Sequence, residues 1–308
     1  MSYSDFSPRV HSPRSAFLGL TSLALLGLAL TNCSMMSKSG NSDGSKQGDD
    51  SDAGAKPACD DSNPCASGTC CSNVCVDTTQ DPGNCGSCGS ACSGGQFCTA
   101  SACTDAVVTN ACANGDIAVV QDQYDVDNTA GSDIGQALAT CNGGGSGMST
   151  VAQSASIFVP EADGGARPDA GGNTTLVVGG GWWGQAVVAY LDGNGITPVY
   201  FTNDGTTSII YERSTGSQLT TADDSTLTAN HDFFIEEMVV EPESGTPCFI
   251  GYGLYNGGTE AAGYYAANEL VPNHGSYSDS WYVYEWTDAN LNGSPDSADT
   301  FKLVDSGR

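Results

Sequence analysis

Basic residues are scarce in this chain. Nine Lys and Arg stand against 36 Asp and Glu, and the formal net charge is −27. Phosphate backbones are bound by clustered Lys and Arg that release counterions. The sequence holds no such cluster, so nucleic acid is excluded as a partner. Anionic lipid headgroups are disfavoured by the same charge. Histidine is nearly absent: beyond His11 there are only His231 and His274. No HExxH string occurs, and GxSxG occurs only as Gly40-Asn41-Ser42-Asp43-Gly44 in a Ser- and Gly-rich stretch without the strand-to-helix pattern that the hydrolase signature needs. A continuous apolar run of the roughly 20 residues that a membrane helix needs is also missing. Large apolar side chains are almost lacking between positions 59 and 103, so that stretch cannot build a core of its own.

The acidic excess suits solubility or cation binding. The apolar run at 16–30, AFLGLTSLALLGLAL, follows Arg9, His11 and Arg14. Its length and basic flank are those of a signal peptide, assigned to residues 1–32. Leu30-Thr31-Asn32-Cys33 comes next and resembles a bacterial lipobox, with Asn32 standing where a smaller residue is usual. The resemblance implies lipidation at Cys33 and membrane attachment through that lipid. An exported outer-membrane or cell-surface lipoprotein is the expectation. Residues 33–57 are rich in Ser, Gly and Asp and cannot offset their ordering entropy by burial. They read as a flexible linker spanning roughly 25–30 Å.

Ten of the 14 cysteines crowd into 58–104: Cys59, Cys65, Cys70, Cys71, Cys75, Cys85, Cys88, Cys92, Cys98 and Cys103. An even number in an exported chain reads as a disulfide framework. Zinc would need four well-spaced ligands, and Cys85–Cys88 supplies a single CxxC. The gaps Cys59–Cys65–Cys70 recur as Cys92–Cys98–Cys103, so two similar loops would flank a central stretch. The spacing leaves the pairing open. The strings Cys75-Val76-Asp77, Asp81-Pro82-Gly83-Asn84-Cys85-Gly86-Ser87-Cys88-Gly89-Ser90-Ala91-Cys92 and Gly95-Gln96-Phe97-Cys98 resemble the stigma-specific protein-like cysteine-rich family. That resemblance covers about residues 59–103. It implies an extracellular, disulfide-bonded, non-enzymatic module.

Strand signals dominate residues 105–308. Thr174–Val178, Gln185–Leu191, Phe249–Tyr255, Ser280–Thr287 and Thr300–Val304 read as strands. Pro198–Thr202 and Thr207–Tyr211 flank Asn203-Asp204-Gly205, a hairpin turn. Phe233–Val240 fits either strand or helix. Asp133–Cys141 is the best short helix, with Ser132 as its N-cap. Residues 161–173, EADGGARPDAGGN, read as a surface loop. The expected fold is mainly β: a small disulfide-rich module followed by a β-sandwich-like domain. Of the remaining cysteines, Cys112–Cys141 would close a local loop, whereas either one with Cys248 would tie the early segment to the sheet. A buried free thiol at Cys248 is the simplest outcome.

Three patterns bear on function. Residues 288–299 place Asp288, Asn290, Asn292, Ser294, Asp296 and Asp299 at the oxygen-ligand positions of a calcium loop, with Gly293 at the turn. This string resembles EF-hand and thrombospondin type 3 loops, with Asp rather than Glu at the last position. Calcium is therefore the candidate cofactor. The competing reading is an Asx-rich hairpin loop held by its own backbone. Strand alternation puts Tyr282, Tyr284 and Trp286 on one face, either as sandwich core or as a platform for sugar rings. Trp182-Trp183 beside Gly179–Gly181 is a second platform of that kind. Gly179–Gly184 satisfies GxGxxG, but the apolar run after it reads as strand, where a dinucleotide fingerprint requires a helix. Glu236, Glu237 and Asp232 would supply acids for glycan hydrolysis, yet adjacent strand residues point to opposite faces. A non-enzymatic binding or structural role, with a polysaccharide or another surface protein as partner, is the leading expectation. An exported glycan hydrolase is the alternative.

Overall fold

A computed structural model describes residues 59–308 apart from 61–62, 80, 82, 93–95, 100, 114, 142–146 and 182. The signal peptide, Cys33 and the linker lie outside the described residues. The cysteine-rich stretch forms two small antiparallel hairpins, β1 (Thr69–Cys71) with β2 (Val74–Val76), and β3 (Gln96–Thr99) with β4 (Ala102–Asp105). Five disulfides hold them: Cys59–Cys70, Cys65–Cys75, Cys71–Cys88, Cys85–Cys98 and Cys92–Cys103. The sequence echo becomes a pairing rule. In each triplet the outer cysteines bond each other at a separation of 11. The middle one reaches inward, to Cys75 or Cys85. Cys71–Cys88 then joins the two halves.

After α1 (Val108–Ala113), the chain builds β5 (Asp116–Gln121), α2 (Asp125–Cys141), β6 (Met148–Ala152), β7 (Phe158–Pro160), β8 (Ala166–Pro168), β9 (Thr174–Gly179) and α3 (Ala186–Gly193). Next come β10 (Val199–Asn203), β11 (Thr207–Glu212), β12 (Gln218–Asp223), β13 (His231–Val240), β14 (Pro247–Gly253), α4 (Asn256–Tyr265), β15 (Trp281–Thr287) and β16 (Thr300–Gly307). Seven strands form one sheet in the order β16-β15-β13-β14-β9-β5-β6. The half from β14 to β6 is parallel, and the half from β13 to β16 is antiparallel.

Each face of this sheet carries its own core. On one face α2 and α4 cover Val119, Val177, Phe234, Phe249 and Trp286. Their close approach depends on small residues: a side chain at Gly135 would meet Val119, and one at Gly263 would sit 2.6 Å from the Ala130 Cα. On the other face, α3 and the small sheet β10-β11-β12 cover Val120, Val178, Ile235, Ile250 and Val283. The mainly β class and the order of module and large sheet domain are as the sequence implies, and the second sheet on one face gives the sandwich-like part of the layering.

Local readings differ in three places. Residues 186–193 form a helix, because Val187, Val188 and Leu191 bury one helical side against the sheet. Asp133–Cys141 is only the latter part of α2, and Ser132 lies inside that helix rather than capping it. The 161–173 loop contains β8, which pairs with β7 and buries Ala166 and Pro168. Cys112–Cys141 is the sixth disulfide, and Cys248 is a buried free thiol. Burial, then the charge of Glu241, pushes the Cys248 thiol well above its ordinary range.

Candidate functional site at the carboxyl ends of the parallel strands

Strands β5 and β9 lie side by side and parallel, but the chain leaves them in opposite senses. From β5 it runs through α2 on one face to β6; from β9 it enters α3 on the other face and goes on toward β14. The crevice outside the carboxyl ends of two such strands is where open α/β sheets bind ligands. Here it holds Asp122 and Asp127 after β5, and the loop Gly179–Gly184 after β9.

Asp122 is fixed by its own turn. Its Oδ1 accepts the Tyr124 amide at 2.6 Å, and the Asn128 side chain bonds both its backbone N–H and its carbonyl. Asp127, in the first turn of α2, is 2% exposed. Burial, the neighbouring Asp122 charge and a hydrogen bond with Asp122 push its carboxyl up to about 7. The glycine loop closes over both. A Cβ on Gly180 (φ +95°) would stand 2.2 Å from the Asp127 Oδ2, and one on Gly184 would stand 2.2 Å from the Asp122 Oδ2. No other residue type fits there. Gln185 and Gln153 brace the loop from behind: Gln185 donates to the Gly179 carbonyl at 2.8 Å, and Gln153 donates to the Gln185 side-chain oxygen at 3.0 Å. A helix does follow GGGWWG, contrary to the sequence reading. The two carboxylates nevertheless stand against the loop where a dinucleotide would need to place its pyrophosphate, and like charge opposes that use.

The same loop presents Trp183, 38% exposed, edge-on to Phe201 at 5.6 Å and Tyr252 at 6.3 Å between ring centroids. Tyr255, 45% exposed, follows β14 at the same edge of the sheet. Trp182 is outside the described residues. Asp232 opens β13 beside them and serves α4: its carboxylate accepts the amides of Phe233, Tyr255 and Gly258 at 2.7–3.0 Å. Burial lifts its carboxyl to about 7, against those amides.

The other sequence candidates are placed as follows. Tyr282, Tyr284 and Trp286 do share a face, but α4 covers it and they are 5%, 3% and 0% exposed. They are core; Tyr284 stacks on Phe234 at 5.1 Å. Glu236 and Glu237 are each 1% exposed and face opposite sides of the sheet. Glu236 lies against Gly251 and Ile134, while Glu237 feels Asp192 and Arg213. Neither shares a cleft with the other or with Asp232. Burial raises both carboxyls well above the usual range.

In the 288–299 loop every carboxylate already receives N–H donors. Asp288 accepts the amides of Asn292 and Gly293, Asp296 accepts the side-chain amides of Asn290 and Asn292, and Asp299 accepts the Trp286 indole and the Ala289 and Asp296 amides. Ser294 donates its amide to the Asn292 side chain. Leu291 (φ +59°) and Gly293 (φ +80°) make the turn. Among the described residues, the groups of three or more potential ligands within 4.8 Å of one another consist of disulfide cysteines.

No local pattern singles out Asp122 and Asp127; only a strand ending at Gln121 with a helix starting at Asp125 points to them. Comparison with family models, with curated proteins and with solved structures finds no match to this chain.

Proposed function

We propose that this protein is an exported surface lipoprotein whose sheet domain binds a polysaccharide, without catalysis, at the carboxyl edge of its parallel strands. The observation that carries this reading is Trp183. It is a large aromatic ring left partly open after β9, backed by Phe201 and Tyr252. Apolar rings with a few fixed polar groups are what a sugar needs: a flat face for its C–H groups and acceptors for its hydroxyls. Six disulfides fit an oxidising, exported environment. Among the described residues no helix is long and apolar enough to cross a membrane; the attachment proposed is the lipid on Cys33. The 58–104 module is taken as a stigma-specific-type spacer, and calcium as a stabiliser of the 288–299 loop.

The test is retention of the mature protein on a panel of immobilised polysaccharides, with Trp183→Ala beside the wild type. Binding by the wild type and a loss of at least about tenfold in the variant are expected, the latter from one aromatic contact. A wild type that binds nothing in the panel, or a variant that binds equally well, would point to a protein partner or a structural role instead.

A further inference from the structure

The Asp122–Asp127 pair poses a charge problem that the described residues leave unsolved. Each Oδ2 is shut off from solvent and meets no hydrogen-bond donor from outside the pair. No Lys, Arg or His forms an ion pair with either residue among those described. A buried carboxylate beside a second carboxylate does not stay ionised without a positive partner. The surroundings limit what that partner is. Gly180 and Gly184 lie so close to the oxygens that not even a methyl group fits, which excludes an organic cation from above. Asp122 is only half-buried, which leaves a path for a small ion on its side.

We infer that Asp122 and Asp127 bind one hard divalent cation, of the magnesium or calcium class, between their Oδ2 atoms beneath the 179–184 glycine loop. Carboxylate oxygens are the ligands such cations select, and a site with two carboxylates leaves the remaining positions to water and backbone carbonyls. The site is distinct from the 288–299 loop and does not depend on the carbohydrate reading. It gives the glycine loop a second purpose: the ion would pin the loop that carries Trp183.

The experiment uses the purified mature protein, stripped with EDTA and dialysed. Magnesium and calcium chlorides are titrated while thermal melting is followed, and terbium is titrated while its emission is read under excitation of the aromatic residues. The same is done for Asp127→Asn, Asp122→Asn and, as a control for the other loop, Asp288→Ala. The expected result is a cation-dependent rise in melting temperature and a sensitised terbium signal for the wild type and Asp288→Ala. Asp127→Asn should lose at least tenfold in cation affinity while melting in EDTA at or above the wild type, since an amide removes the charge conflict. If Asp127→Asn does not fold, Asp122→Asn gives the same readout. No response of the wild type to any of the three cations overturns the site, as does a response that survives both Asn substitutions when these are made on the Asp288→Ala background, where the 288–299 loop no longer contributes.

Discussion

Glu236 shows what a single buried residue sets. It sits between Phe234 and Met238 in the face covered by α2 and α4, with both oxygens unpartnered. Its carboxyl is held neutral, by burial first and by Glu237 second. A neutral acid in the fold and an ionised one in the unfolded chain make stability depend on pH. The folded state binds the extra proton, so stability is greatest below the unfolded value and falls as pH rises above it. Replacing Glu236 by Met keeps the volume and removes the polar burden. Glu236→Met is expected to stabilise by on the order of 1–3 kcal/mol at pH 8 and by clearly less at pH 5, as read by urea unfolding. Destabilisation of equal size at both pH values would mean that the carboxyl makes a contact that matters. Gly251, directly across the register from Glu236, has a fixed identity for a related reason: a Cβ there would lie 2.8 Å from Ile134 and 2.9 Å from the Glu236 Oε2.

Among the elements, α2 is the one on which the most depends. It buries Ile134 and Leu138, carries Asp127 in its first turn, and is tied at its last residue to α1 by Cys112–Cys141. Closing a loop of that length removes unfolded-state entropy equivalent to about 3–4 kcal/mol. The double variant Cys112→Ala/Cys141→Ala should lose about that much in chemical denaturation, with the module's five disulfides intact by mass. A loss under about 1 kcal/mol would show that packing alone holds α2. The 288–299 loop is a second element with a clear expectation. If calcium adds to its own hydrogen bonds, EDTA lowers the melting temperature in an Asp127→Asn background, where only this loop can respond. Asp288→Ala on that background should abolish the sensitivity. An unchanged melt with EDTA leaves the loop as the self-sufficient Asx-rich turn described above.

For the whole molecule, acidity and burial act together. Asp127, Asp232, Glu236 and Glu237 all have carboxyls raised by burial, and the net charge is −27. Both effects favour the folded state at mildly acidic pH: the raised groups keep their protons in the fold, and self-repulsion is weaker. The lowered carboxyls are at the surface. Glu285 is held down by Lys302 and then His231, while Asp204 and Asp223 are held down by turn hydrogen bonds; screening makes such exposed groups worth little. The melting temperature in EDTA should therefore fall steadily from about pH 5 to pH 8, the contribution of Asp127 and Asp232 being lost by the time they pass their folded values of about 7. A melting temperature that climbs over that range would show that the surface groups dominate.

The sequence by itself determined the features that depend on local pattern. Cysteine count and context fixed the disulfide module, because too few large apolar residues were there to replace it. Asn203-Asp204-Gly205 fixed the β10–β11 hairpin, and alternation puts Glu236 and Glu237 on opposite faces once residues 233–240 are a strand, which the pattern left open against a helix. Tertiary structure decided the rest. Residues 186–191 are equally apolar as strand or helix, and only the layer above β9 makes them α3. Tyr282, Tyr284 and Trp286 read as core or platform until α4 lies over them. The pairing within the module needed the hairpins to bring cysteines together, since ten cysteines admit many connectivities. Asp122 and Asp127 sit five residues apart with nothing local to mark them. They become a pair because β5 ends beside β9 and glycines at 180 and 184 let the next loop close directly onto their oxygens. That is a consequence of strand order, which no local stretch of sequence encodes.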